Sequence, residues 1–261
     1  MAFFIKRPLF LLIVLLLSFC QCDVINSTLG KHKNYAMLSF STMGVVNYDY
    51  KMPDRVKELD MELREISGLD FNEANNSLLA INDEKGFVYE LSIDDFDIIS
   101  KNEFWNTGDY EGVEFDGKYI WVLKSNGKLY QFDPVNKETV EYETKLSSDN
   151  DVEGLCYDPQ KQLFYLACKG ITLNKKDKVR TKAIYSFNIK DKKLEKEPLI
   201  KIHPNKIKKF INEVAKEEVD GNYLDRVEVF SPSAVAMSNN RDLYVLSARG
   251  SMLLVIGFNS E

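Results

Sequence analysis

One phrase recurs along this chain: Ile66-Ser67-Gly68-Leu69-Asp70-Phe71, then Tyr110-Glu111-Gly112-Val113-Glu114-Phe115, then Val152-Glu153-Gly154-Leu155-Cys156-Tyr157, and more loosely Pro232-Ser233-Ala234-Val235-Ala236-Met237. Each copy opens on a small or acidic pair and runs into a short apolar strand. After a turn comes a second apolar strand, such as Leu78-Leu79-Ala80-Ile81 or Ile120-Trp121-Val122-Leu123. These runs are too short for helices and follow the two-residue period, or the full burial, of β-structure. Polar turns at Gly86, Gly127 and Gly250 then lead into third strands; in the remaining unit Gly170 precedes a longer lysine-rich loop. A sheet meander repeated at a fixed period means an array of similar units.

Gly68 and Gly112 lie 44 residues apart, and Gly112 and Gly154 lie 42 apart. That spacing suits one four-stranded propeller blade of about 40 to 50 residues. The next interval, from Gly154 to Ala234, is close to two periods, but its second half reads as a helix. Pro204 stands where a first helical turn tolerates proline, and Ile207, Phe210, Ile211, Val214 and Ala215 share one face. The sequence therefore predicts an all-β propeller over residues 44–261 with one helical insertion at about 204–219.

The combined motifs resemble the SdiA-regulated family, also called the YjiK/CarP family, of bacterial envelope β-propellers. The matching residues are Glu65-Ile66-Ser67-Gly68-Leu69, Asp83-Glu84 with Gly86, Tyr110-Glu111-Gly112-Val113, Asn150 through Leu155, and Ser231 through Ala236 followed by Leu246-Ser247. The resemblance implies a five-bladed architecture. It also implies an envelope protein, since family members are linked to quorum-sensing regulation and calcium homeostasis and bear a distant likeness to phytase-like propellers. The family pattern ends on a further Glu-Gly-Ile unit, so the last blade is expected to be missing from this chain. Either the gene is truncated, or the chain is a genuine short form, in which case residues Gly44 to Tyr50 are expected to pair into the blade that contains Ala234.

The amino terminus reads as an export signal over residues 1–22: Lys6 and Arg7, an apolar run from Leu9 to Leu17, then polar residues. Cys20, and secondarily Cys22, is a candidate for a lipid anchor. Residues 23–43 read as a tether, which places the protein in the periplasm or at the membrane of a bacterial envelope. The formal charge is −6, and losing a leader with two basic residues and no acid makes it more negative. An acidic product of this kind is a poor partner for nucleic acid. Cys156 and Cys168 fall on two strands of one hairpin but are offset along it, so they are expected to be buried free thiols.

No nucleophilic triad is visible, because His32 lies in the tether and His203 abuts Pro204. Zinc spacings and phosphate-binding glycine loops are absent as well. The strongest polar candidates are Glu111 and Glu153, at equivalent starts of successive inner strands, where a propeller brings both toward its channel. Hard oxygen ligands there can gather around Ca²⁺; alternatively they fix the blade geometry by accepting backbone N–H bonds. A second set, Asp83, Glu84, Lys124, Lys169 and Arg249, follows the second strands and shares one face, where it would hold an anionic ligand or form a solvated rim. Two functions stay open: a non-enzymatic propeller binding calcium, a small ligand or an envelope protein, and a calcium-dependent phytase-like or esterase-like phosphohydrolase.

Overall fold

The computed structural model describes residues 13–18, 37–42, 55–177, 180–214, 221–239 and 241–258, with backbone alone at 13–18, 37–42, 210, 214 and 221–223. Strands dominate and form four sheets, one per repeat, each repeat's own strands pairing antiparallel. The first blade is Ile66–Asn72, Ser77–Asn82, Phe87–Ser92 and Ile98–Glu103. The second is Tyr110–Phe115, Ile120–Lys124, Leu129–Asp133 and Glu138–Tyr142. In the third, Val152–Asp158, Leu163–Cys168 and Lys182–Asn188 are edged by two short pieces, Lys193–Leu194 and Ile200–Ile202, which both pair with Lys182–Asn188. The fourth holds Ala234–Met237, Asp242–Ser247 and Met252–Phe258.

Four blades, rather than the five of the family pattern, are present among the described residues. The fourth sheet is extended by Ile13–Ser18, parallel to Met252–Phe258, and by Met37–Thr42 beyond it. The predicted pairing of Gly44 to Tyr50 lies outside the described residues, as does most of the expected leader and tether, Cys20 and Cys22 included. The helical region also differs from expectation. Helix Pro204–Val214 buries Ile207 and Ile211 as their spacing requires, and a second helix, Gly221–Glu228, follows it. Its sequence lacks a long apolar period, and Val227 is its anchor in the core shared by the third and fourth blades. Among the described residues no helix is long and apolar enough to cross a membrane.

The second strands are apolar on both sides because each is sandwiched between neighbouring blades: Ile120, Trp121, Val122 and Leu123 are all buried. Close approach of the blades explains the repeated glycine. A Cβ on Gly112 would sit 2.7 Å from the Leu155 Cβ of the next blade, and one on Gly154 would sit 2.9 Å from Val235 Cγ1 and 3.0 Å from its N. Gly112→Val is therefore expected to destabilise by about 1–3 kcal/mol through overpacking. Urea denaturation should show a lower midpoint at an unchanged slope, and an unaltered midpoint would contradict the packing argument.

Polar groups reinforce this packing in a repeated order. Asp70 Oδ2 in the first blade accepts from the Phe115 N–H of the second at 2.9 Å, and Glu114 Oε2 in the second accepts from the Tyr157 N–H of the third at 3.0 Å. The Cys156 sulfur faces the Met237 N–H in the same way. At the opposite ends of these strands the Tyr110 N–H donates to Asp83 O and the Val152 N–H to Ser125 O, both at 2.8 Å. Blades three and four are joined further by Arg241, whose guanidinium grips the fully buried Asp158 at 2.7 and 3.0 Å while the Tyr165 hydroxyl donates to the same carboxylate at 2.6 Å.

Candidate functional site at the channel mouth

The inner strands of the first three blades share an irregularity at the residue before the repeated glycine. Register shifts between Ile66 and Gly68, between Tyr110 and Gly112, and between Val152 and Gly154. Ser67, Glu111 and Glu153 are thus the bulged residues. A bulge leaves its residue unpaired and re-aims its side chain. This is the local reason the two glutamates leave the ladder, close enough for the Glu153 charge to act on Glu111.

Lys169, directly after the second strand of the third blade, holds this corner together. Its Nζ lies 2.5 Å from Glu153 Oε1 and 3.7 Å from Asp151 Oδ2. The Glu153 pairing raises the lysine's own proton affinity, and Asp151 and Glu111 add to that effect. Glu111 has no cation to itself. Burial, then the charges of Glu153 and Asp109, and then a hydrogen bond to Asp109 push its carboxyl up to about 8, against which Lys169 acts only weakly. Asp109 is meanwhile engaged by the Ser125 hydroxyl.

A folded-state value above the unfolded 4.5 means that the native protein keeps a proton which the unfolded chain releases. Between about pH 4.5 and 8 stability must therefore fall as pH rises, the contribution being complete below 4.5 and gone above 8. After allowance for partial exposure, Glu111 should account for about 2 kcal/mol of this decline. Melting curves across that range should flatten in Glu111→Gln, and a wild type with no decline would refute the assignment.

Of the remaining predicted residues, Lys169 joins the glutamates and Arg249 stands close enough to Lys182 to affect it. Burial first and then Arg249 lower the Lys182 ammonium, which donates to the carbonyls of Lys169 and Gly170. Lys124 lies over the Tyr110 ring at 5.9 Å and acts on Glu141, on the outer strand of its own blade. Asp83 and Glu84 belong to the junction of blades one and two: their carbonyls accept from Tyr110 and Gly108, and Asp83 Oδ1 is buried without a hydrogen-bond partner. Cys156 and Cys168 are free and buried, as their offset implied. Sequence reasoning passed over Asp70 and Glu114. Burial pushes Asp70 up to about 6, and burial together with the Asp70 charge holds Glu114 well above the usual carboxylate range.

The donor set is hard oxygen, which suits Ca²⁺, but such an ion takes six to eight oxygens. Among the described residues no three His, Cys, Asp or Glu side chains are grouped to hold a metal as they stand. A cation entering between Glu111 and Glu153 would have to displace Lys169 and complete its shell with solvent or ligand oxygens.

Four meandering blades around acidic bulges define a β-propeller. Residues 42–261 match the SdiA-regulated family, and the chain belongs to that family. No curated protein matches it. Among solved structures, the chain is similar to the glutaminyl cyclase of Myxococcus xanthus at 9% identity and a TM-score of 0.45, covering 69% of this chain and 67% of that one. It is similar to virginiamycin B lyase from Staphylococcus aureus at 10% identity and a TM-score of 0.45, covering 85% and 57% respectively, and to the computationally designed Ika4 protein at 11% and 0.42, covering 80% and 100%. At these values none of them bears on what this chain does.

Proposed function

We propose that this protein is a non-enzymatic, cation-binding β-propeller of the bacterial cell envelope, exported and held at the membrane or free in the periplasm, with Glu111 and Glu153 as the groups that receive the cation. The observation that carries this reading is the corner itself. Lys169 pairs with Glu153 and Asp151, while Glu111, beside Asp109 and within reach of the Glu153 charge, makes no ion pair with it. A site that stabilises one ammonium among carboxylates has the chemistry to accept another positive charge. Calcium is the ion to test first, because the ligands are carboxylates and the family resemblance points the same way.

An ion that binds only the folded state stabilises by mass action, by about 2.7 kcal/mol at 100 times its dissociation constant. Calcium titration should raise the melting temperature of the wild type, and Glu111→Gln and Glu153→Gln should each abolish the rise. Because the ion displaces the Glu111 proton, the rise should grow as pH approaches 8. A calorimetric titration showing no uptake of Ca²⁺ or Mg²⁺ would remove this reading. The phosphohydrolase reading draws on Lys182 and Arg249 beside Lys169, a cationic group suited to phosphate. Release of phosphate from inositol hexakisphosphate only when Ca²⁺ is present would favour it.

A further inference from the structure

In the first two blades the outer strand is one continuous piece, Ile98–Glu103 and Glu138–Tyr142. The third blade breaks it. Leu194 stands opposite Phe187 and Ile200 opposite Ile184, so the outer chain spends twice as many residues as the strand it borders. Between the two pieces run Glu195-Lys196-Glu197-Pro198-Leu199. The Glu195 N–H still reaches the Ser186 carbonyl at 2.9 Å, and the pairing then lapses until Ile200. Pro198 has no N–H with which to resume it, and its fixed φ suits a chain leaving an edge.

The excursion leaves a cavity of about 500 Å³ beside Ser186, within the range of about 300–1,000 Å³ that small-molecule sites occupy. Its apolar walls are Leu194, from the core shared with the second blade, Leu199, packed on the core shared with the fourth, and Pro198. Ser186 is the contribution of the strand they border. It is 7% exposed and lines the cavity, yet its hydroxyl has no hydrogen-bond partner among the described residues. The other buried serines, Ser77, Ser125, Ser231 and Ser247, are each bonded to protein. A buried donor left open is costly unless a further molecule completes it. Charge on the lining is balanced: Lys193 and Lys196 alternate with Glu195 and Glu197, and none of the four forms an ion pair among the described residues. Two cations and two anions suit neither a plain anion nor a plain cation, but a molecule that carries both signs.

We propose that this cavity binds a small hydrophobic dipeptide. The carboxylate of the dipeptide meets a lysine, its ammonium a glutamate, and its side chains the walls of Leu194, Pro198 and Leu199. Its peptide carbonyl accepts from the Ser186 hydroxyl. A free amino acid carries the two charges but lacks that uncharged carbonyl, and so leaves Ser186 open. Neither glutamate of the channel corner lines the cavity, so this site stands or falls apart from the cation site.

Equilibrium dialysis of the full chain against labelled leucyl-leucine is expected to show saturable binding. Ser186→Ala should weaken it about three- to tenfold, the worth of one neutral hydrogen bond. Its melting temperature should not fall, because the hydroxyl removed has no partner in the protein. Lys193→Gln combined with Lys196→Gln should weaken leucyl-leucine about fivefold, as expected for exposed charges, without weakening leucyl-leucine amide, which has no carboxylate to lose contact. No saturable binding by the wild type at millimolar dipeptide would overturn the proposal. So would equal affinity for N-acetyl-leucyl-leucine amide, which carries neither charge, equal affinity for free leucine, or variants that bind leucyl-leucine as the wild type does.

Discussion

Asp158→Ala should lower stability by about 3–5 kcal/mol. The carboxylate is fully buried, and four donors depend on it: the Arg241 guanidinium, the Tyr165 hydroxyl and the backbone N–H groups of Gln160 and Lys161. Burial alone would raise the Asp158 carboxyl, but Arg241, Tyr165 and the Lys161 N–H outweigh it and hold the group ionised below its ordinary range. Truncation therefore strands a largely buried cation and a phenol at the joint of blades three and four. For a domain of this size the melting temperature should fall by about 10 °C or more. Replacing all three side chains together, as Asp158→Leu, Tyr165→Phe and Arg241→Met, should recover much of the loss, because no charge is then left unpaired. A single Asp158→Ala variant that loses under about 1 kcal/mol would show that the network adds nothing beyond its pairing geometry.

Trp121→Ala should cost a similar amount, about 3–5 kcal/mol, for a different reason. Its indole is completely buried where the second blade meets the third, stacked on Tyr142 at 5.5 Å and tilted against Phe164 at 5.0 Å, with Phe187 at 6.2 Å. The Nε1–H donates to Asp116 Oδ2 at 2.7 Å, and Lys192 sits over the ring at 4.5 Å. The substitution opens a cavity and releases that carboxylate. Trp121→Phe keeps most of the volume and loses the hydrogen bond, so it should cost about 1–2 kcal/mol. Denaturant melts distinguish the two, and equal losses would mean that the Asp116 bond rather than the cavity governs the site.

The repeated units were legible because their signal is local. Gly68, Gly112 and Gly154 recur at blade spacing, and the apolar runs that follow them are short and bounded by turns. The channel glutamates were legible for the same reason, since a position within a repeat maps onto a position within a blade. What bulges do to Glu111 and Glu153 was not visible, because a bulge depends on the register of a partner strand. Asp70 and Glu114 looked like ordinary polar alternation; their partners, the Phe115 and Tyr157 N–H groups, lie one whole blade ahead. Arg241 and Asp158 stand far apart in sequence, and neither flanking segment hints at the other. The second helix escaped notice because it is short and tethered by few apolar residues, Val227 foremost among them.

The direction of the bonds from Asp70 to Phe115 and from Glu114 to Tyr157 has an evolutionary consequence. Among the described residues every such bond links a blade to its immediate successor, and none skips a unit. Stability in an array of this kind is a sum of unit and nearest-neighbour contributions, so an addition or deletion at either end leaves the interior terms untouched. The accepting position runs acid, acid, thiol, methyl through Asp70, Glu114, Cys156 and Ala236. A lineage built on this plan can change its number of units by duplication or loss without redesigning those that remain.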